Sequence, residues 1–211
     1  IWALYFYARY SSRGTDRRQL LYAVFFSACS VLSKSAALLA APAGFLALDL
    51  LLGRLALDFF SSQGWRRIIS YTFSADRAVI SVSTLLLLVI TLWANMKGTE
   101  NDIDTVTIDM RLRFLKAPVL LVKTVRDTIW PANLSPHYVF KDWLVEPSLS
   151  ATSVLSLGWV LASFLTAAAD RKTLSIWIWV VLTTLPTLGL VQHGMVCMGG
   201  DRYAYLTLIP V

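Results

Sequence analysis

Asp201, Arg202, Tyr203 and Tyr205 follow the Gly199-Gly200 turn and lead into the apolar residues 206–210. Ionisable side chains at the mouth of an apolar segment are costly to keep there, so they are usually held for a substrate, an ion or a partner charge. The planar guanidinium of Arg202 suits a pair of phosphate or pyrophosphate oxygens, and Asp201 could orient that fork or bind a sugar hydroxyl. A second reading stays open, in which Asp201 and Arg202 form an interfacial ion pair with the tyrosines in an aromatic belt. Lys34, flanked by Ser33 and Ser35, offers a point charge to an anionic head group or is a lysine that snorkels to mark an interface. His193 stands in the same last connection as Asp201, residues 192–202. The sequence has no metal-ligand cluster, nucleotide loop or nucleophile–base–acid set. Its two cysteines, Cys29 and Cys197, read as free thiols.

The elements that must position these residues are apolar blocks. The chain has 211 residues, of which 56% are hydrophobic and 15% charged, and a mean hydropathy of +0.61. A soluble domain of this size carries about 25% charged residues. Long apolar blocks in place of scattered periodic positions predict an all-α fold, a polytopic bundle of transmembrane helices. The net charge of +6 comes from arginines clustered between those blocks, which suits a topology signal and not a nucleic-acid surface.

The spans are expected at about 1–8, 19–33, 36–53, 78–94, 151–169, 174–191 and 203–211, with a long loop at about 95–150, all within one partial transmembrane domain over 1–211. A single helix over 19–53 would be roughly 50 Å long against a hydrocarbon core of roughly 30 Å, so two short helices turning at Lys34 are expected. Asp49 would cap the bundle or face Arg54. Pro186 would kink the span that contains it. The chain opens and closes inside apolar runs, as expected of a piece of a longer membrane protein.

Alternating spans place Arg9, Arg13, Arg17 and Arg18, then Arg54, Arg66, Arg67 and Arg77, then Arg171 and Lys172 on one side. The positive-inside rule makes that side cytoplasmic. Lys34, the long loop and the Asp201-Arg202 turn then share the opposite face. Within the loop, Arg111, Arg113, Lys116, Lys123 and Arg126 alternate with apolar residues. This suits an amphipathic helix at the interface with its basic residues toward lipid phosphates, or a surface helix packed on the bundle. Pro118 would break or kink that helix. The aromatic and proline-rich stretch 130–138, opening at Trp130, must turn and would form a wall at membrane level. Asn133-Leu134-Ser135 matches the glycosylation acceptor pattern, but Pro136 and membrane proximity argue against its use.

Several phrases, in order, resemble a known family. They are Leu32-Ser33-Lys34-Ser35 with Asp49 at the end of the next helix, Ile129-Trp130-Pro131-Ala132-Asn133-Leu134-Ser135, and Leu188-Gly189-Leu190-Val191-Gln192 followed by Gly200-Asp201-Arg202-Tyr203-Ala204-Tyr205-Leu206. Together they are similar to the transmembrane and tetratricopeptide-repeat O-mannosyltransferase-like proteins of the GT-C glycosyltransferase class. Ser35, Gly200 and Thr207 depart from the family's usual acid, alanine and proline. The resemblance implies a polyisoprenoid-phosphate sugar donor, dolichyl-phosphate mannose, with no further cofactor. It implies transfer to Ser or Thr of a protein acceptor by an inverting displacement. The enzyme would sit in the endoplasmic reticulum membrane or, alternatively, the bacterial inner membrane. The general base would be an acid upstream of Ile1. Carried onto this chain, Lys34 and Arg202 would bind the donor phosphate, and Trp130, His193, Asp201 and Tyr203 would line the active site. The competing classes are a polyisoprenoid-lipid transporter and a non-catalytic membrane scaffold for a repeat domain.

Overall fold

Apolar runs that carry few side-chain hydrogen-bonding groups must satisfy their backbone within the segment, and a helix does this. In a computed structural model, which describes residues 1–13, 16–33, 38–55, 66, 70–71, 74–99, 109–131 and 148–190, the regular structure is helical throughout. The helices are α1 (Trp2–Arg13), α2 (Arg17–Ser33), α3 (Ala40–Leu51), α4 (Ala75–Thr99), α5 (Met110–Ile129), α6 (Ser148–Ala167) and α7 (Arg171–Thr184). A 3₁₀ turn, Leu185–Thr187, follows α7.

Three helix pairs make the largest interfaces: α1 with α2, α3 with α7, and α5 with α6. Smaller contacts of α1 with α3, α2 with α4, and α6 with α7 tie the pairs together. Tyr7 of α1 stacks on Phe45 of α3 with ring centroids 4.3 Å apart, and Phe6 stacks on Phe26 of α2 at 5.5 Å. Gly44 permits the close approach of α1, α3 and α7. A Cβ there would stand 2.2 Å from Leu4 Cδ2 and 2.8 Å from the Trp179 ring.

One end of the bundle collects the arginine-bearing links. Arg54 just beyond α3 reaches Ser11 near the end of α1. Tyr10 of α1 bonds Asp76 in the first turn of α4. Leu50 and Leu55 cluster with Ala167 at the end of α6 and Leu174 in the first turn of α7. The ends of α1, α3 and α6 and the starts of α4 and α7 therefore meet, and the described basic residues Arg9, Arg54, Arg171 and Lys172 lie at this end.

The outward sides are apolar. Leu85, Leu86, Val89 and Ile90 of α4 and Val154, Leu155, Leu161 and Leu165 of α6 are all exposed. Among the described residues, Ser150–Ala167 is long and apolar enough to cross a membrane, with a mean hydropathy of 1.4, and Ala40–Leu51 and Ala78–Thr91 are shorter apolar helices.

The structure bears on four expectations. The first helix does not end near residue 8 but runs to Arg13. Arg9 stays within it by laying its guanidinium over the Tyr5 ring, 5.7 Å from the centroid, and Ser11 is buried. The helix that contains the span expected at 78–94 is Ala75–Thr99, and its apolar part is Ala78–Thr91. Pro118, expected to break or kink its helix, lies inside α5 without breaking it. Proline costs a helix interior about 3 kcal/mol, whereas burying Leu120 and Leu121 against Leu188 contributes roughly 1.5–3 kcal/mol for each leucine. Pro186 does not kink a continuing span. The α-helix closes at Thr184 and Pro186 sits in the 3₁₀ turn, where its missing N–H leaves no helical bond unmade. The turn at Lys34 and the span at 203–211 lie outside the described residues.

Candidate functional site

The most buried ionisable side chain of the arginine-rich end is Asp49, in the last turn of α3 and 0% exposed. An acid there faces the negative end of the helix dipole, so its partners must hold it. The Tyr7 hydroxyl donates to Asp49 Oδ2 at 2.7 Å, and the Tyr71 hydroxyl donates to the same oxygen. Ser11 Oγ stands 3.5 Å from Oδ1. Burial pushes the Tyr71 phenol well above its ordinary range; the neighbouring Tyr7 adds to the rise and Arg54 partly opposes it. Tyr71 therefore stays protonated and remains a donor. Tyr7 is carried by α1 and Tyr71 by the segment between α3 and α4, so a single carboxylate fastens three parts of the chain.

The backbone explains how Arg54 joins them. Arg54 N–H donates to Asp49 O at 2.9 Å and Gly53 N–H to Leu50 O at 3.1 Å, with Gly53 at φ +69°. This is a Schellman closure, which needs a left-handed residue just past the helix and so favours glycine. The reversal sends the Arg54 guanidinium back to the carbonyl and hydroxyl of Ser11 and over the Tyr10 ring, 5.7 Å from its centroid. Asp49 was expected to cap the bundle or face Arg54. The bonds drawn from Arg54 end on Ser11, and the tyrosine hydroxyls enclose the carboxylate.

A second polar group lies on α5. Lys116 is 2% exposed, and its Nζ is 3.7 Å from where a Cβ on Gly189 would stand. The positive φ of Gly189, +74°, lets the chain after the 3₁₀ turn pass close to this lysine. Farther along, Lys123 and Arg126 both bond Asp127. Burial alone would raise the Asp127 carboxyl, but hydrogen bonds and charge from Lys123 and Arg126 outweigh it and hold the group below its ordinary value. Lys116 and Lys123 thus depart from the interface reading, in which the basic residues point at lipid phosphates, whereas the Arg126 side chain is 67% exposed. Arg111 stays exposed. The helix packs on the bundle, the other of the two expected arrangements.

Of the residues expected to form the site, the structure describes Trp130, which is 74% exposed at the end of α5. Lys34, His193, Asp201, Arg202 and Tyr203 lie outside the described residues. The structure does show the helix that delivers Trp130, α5, packed through Ala117, Leu120 and Leu121 against Leu188, the first residue of the last quoted phrase. Sequence reasoning missed the enclosure of Asp49 by Tyr7 and Tyr71 and the burial of Lys116. An acid late in an apolar helix was the available signal for the first. Among the described residues no three His, Cys, Asp or Glu side chains gather as a metal site. No protein-family model, curated protein or solved structure matches the chain.

Proposed function

We propose that this chain is part of a multi-pass membrane glycosyltransferase. It moves a sugar, mannose by the resemblance, from a polyisoprenoid phosphate to Ser or Thr of a protein on the lumenal side of the endoplasmic reticulum membrane. The membrane part of this reading is supported by the exposed leucines and valines along the sides of α4 and α6. A water-soluble protein rarely leaves such contiguous apolar area uncovered, whereas lipid covers it. The transfer part is supported by the ordered phrases around Lys34, Trp130 and Asp201-Arg202.

In this reading Lys34 and Arg202 neutralise the donor phosphate as the glycosyl bond breaks, a role suited to charge-assisted hydrogen bonds. The test is transfer of labelled mannose from dolichyl-phosphate mannose to a serine/threonine peptide by membranes carrying the protein. Arg202→Ala is expected to abolish transfer while the protein remains integrated in the membrane. Unchanged turnover by that variant removes Arg202 from the site. Movement of the lipid across vesicles without transfer would identify a transporter, and neither activity would identify a scaffold.

A further inference from the structure

Besides the polar clusters, the bundle carries an apolar cleft between α1, α3 and α7, with a volume of about 410 Å³. Leu4 and Tyr5 of α1, Leu48 and Leu51 of α3, and Ile176 and Trp179 of α7 line it. From Gly44 to Leu51, which both border it, the cleft follows α3 for roughly 10 Å at 1.5 Å per residue. Its Leu51 end opens at the arginine-rich end of the bundle. There the Arg171 guanidinium lies 3.1 Å from where a Cβ on Gly53 would stand. On the opposite wall Arg9 donates to the Tyr5 hydroxyl at 3.2 Å and covers that ring. Arg171 and Lys172 are exposed.

The acids at this end, Asp16, Asp49, Asp76 and Asp170, offset part of its charge but are outnumbered by Arg9, Arg17, Arg18, Arg54, Arg171 and Lys172, and each acid is already engaged by a neighbour, Asp76 by Tyr10. Asp49 is enclosed by Tyr7 and Tyr71. Asp170 is engaged by the N–H and hydroxyl of Thr173, both at 3.0 Å. Asp16 accepts from Arg18 N–H at 3.0 Å.

The geometry points to a binding site for one anionic membrane phospholipid, with an acyl chain in the α1–α3–α7 cleft and the head-group phosphate at the rim that carries Arg9, Arg171 and Lys172. An apolar slot leading to a cationic rim complements a molecule with a hydrocarbon tail next to a phosphate. The same division of labour holds amphipathic and polybasic segments on anionic membranes. The site rests on the membrane part of the proposed function and not on sugar transfer. In the expected topology the donor-binding phrases belong to the opposite face.

The test uses the protein purified in mild detergent and reconstituted in phosphatidylcholine nanodiscs doped with phosphatidylglycerol, with retained lipid counted by native mass spectrometry. Wild type is expected to keep one phosphatidylglycerol. Arg9→Gln with Arg171→Gln should weaken that preference roughly thirtyfold, the effect of two basic side chains near an anionic phosphate. Leu48→Trp, which fills the cleft, should lose lipid of both kinds, and Ile176→Trp repeats the blockade from the opposite wall should Leu48→Trp fail to fold. Equal retention of the two lipids by wild type overturns the site, as does an unchanged preference in the double arginine variant. Displacement by soluble glycerol phosphate as effective as by phosphatidylglycerol also overturns it, since a free phosphate would then suffice. Failure of wild type to enter phosphatidylcholine nanodiscs overturns the membrane reading and the site with it. A loss of mannose transfer with the lipid count intact touches only the enzyme reading.

Discussion

Removing the Tyr7 hydroxyl isolates one arm of the Asp49 cluster. Tyr7→Phe keeps the ring that stacks on Phe45 at 4.3 Å and deletes the 2.7 Å bond to Asp49 Oδ2. Asp49 is fully buried, so no bulk water takes the place of the lost donor. A hydrogen bond to a charged group contributes about 1.5–3 kcal/mol, and that is the expected loss. Ser11 at 3.5 Å is too distant to compensate, because hydrogen bonds weaken steeply at such lengths. The assay is reversible unfolding by sodium dodecyl sulfate titrated into dodecyl maltoside micelles, run as a double-mutant cycle with Asp49→Asn. Both single variants should be destabilised, and the pair should fall short of the sum by at least about 1 kcal/mol. Additive effects to within about 0.5 kcal/mol would mean that Tyr7 and Asp49 act independently and would refute the reading of Asp49 as the shared anchor.

Three further outcomes follow from particular contacts. Gly44→Ala should lower the melting temperature, because its Cβ meets Leu4 and the buried Trp179 ring at 2.2 and 2.8 Å; overpacking costs about 1–3 kcal/mol, more than the 0.5–1 kcal/mol that alanine gains over glycine in a helix. Asp127 titrates below its ordinary value when folded, so its stabilisation is complete above the unfolded pKa of about 3.9 and is lost as pH falls through the lower folded value. Wild type should therefore be more stable than Asp127→Asn at pH 7, and the two unfolding curves should converge as the pH is taken into that acid range; a gap that persists at low pH would argue against the Lys123–Asp127–Arg126 group. Asp170→Ala should fray the start of α7 by removing the cap that accepts from Thr173, whereas Asp170→Ser should retain most of the helix signal in far-ultraviolet circular dichroism.

The parts of this fold that could be read in advance are those set by local composition. The runs behind α2, α3 and α6 are apolar over nearly their whole length, and a helix is the economical way to satisfy their backbone. What the sequence hid depends on contacts distant along the chain. Arg9 reads as the start of a polar link because charge marks an end, yet Tyr5, one turn earlier, carries its guanidinium. Lys116 reads as solvent- or lipid-facing because lysine usually is, yet Gly189, far along the chain, lies beside its ammonium. Asp49 was legible as unusual but its partners were not, since Tyr7 and Tyr71 are 42 and 22 residues away. Of the expected donor site, only Trp130 and the helix that delivers it fall among the described residues, so those phrases rest on the resemblance.

The two ends of the bundle are built on different principles, and this bears on how such a protein could act on a lipid. At the arginine-rich end, the Arg54–Ser11 bonds, the Asp49 anchor and the Tyr10–Asp76 bond join α1, α3, the segment before α4 and the start of α4 through side chains with fixed partners. A carboxylate that loses a donor there has no solvent to replace it, so this end resists local opening. At the other end α5 is held to the turn after α7 mainly by Ala117, Leu120, Leu121 and Leu188, apolar contacts without directional bonds, with the buried Lys116 beside Gly189. Under the proposed function, admitting a long isoprenoid donor needs one wall that yields and a frame that does not. Rigidity at the arginine-rich end and adjustable packing around α5 would divide the bundle in that way. The division has a direct consequence for hydrogen exchange: amides of α3 near Asp49 should exchange more slowly than those of α5 between Lys116 and Asp127. The reverse order would show that the Asp49 anchor does not stiffen its end of the bundle.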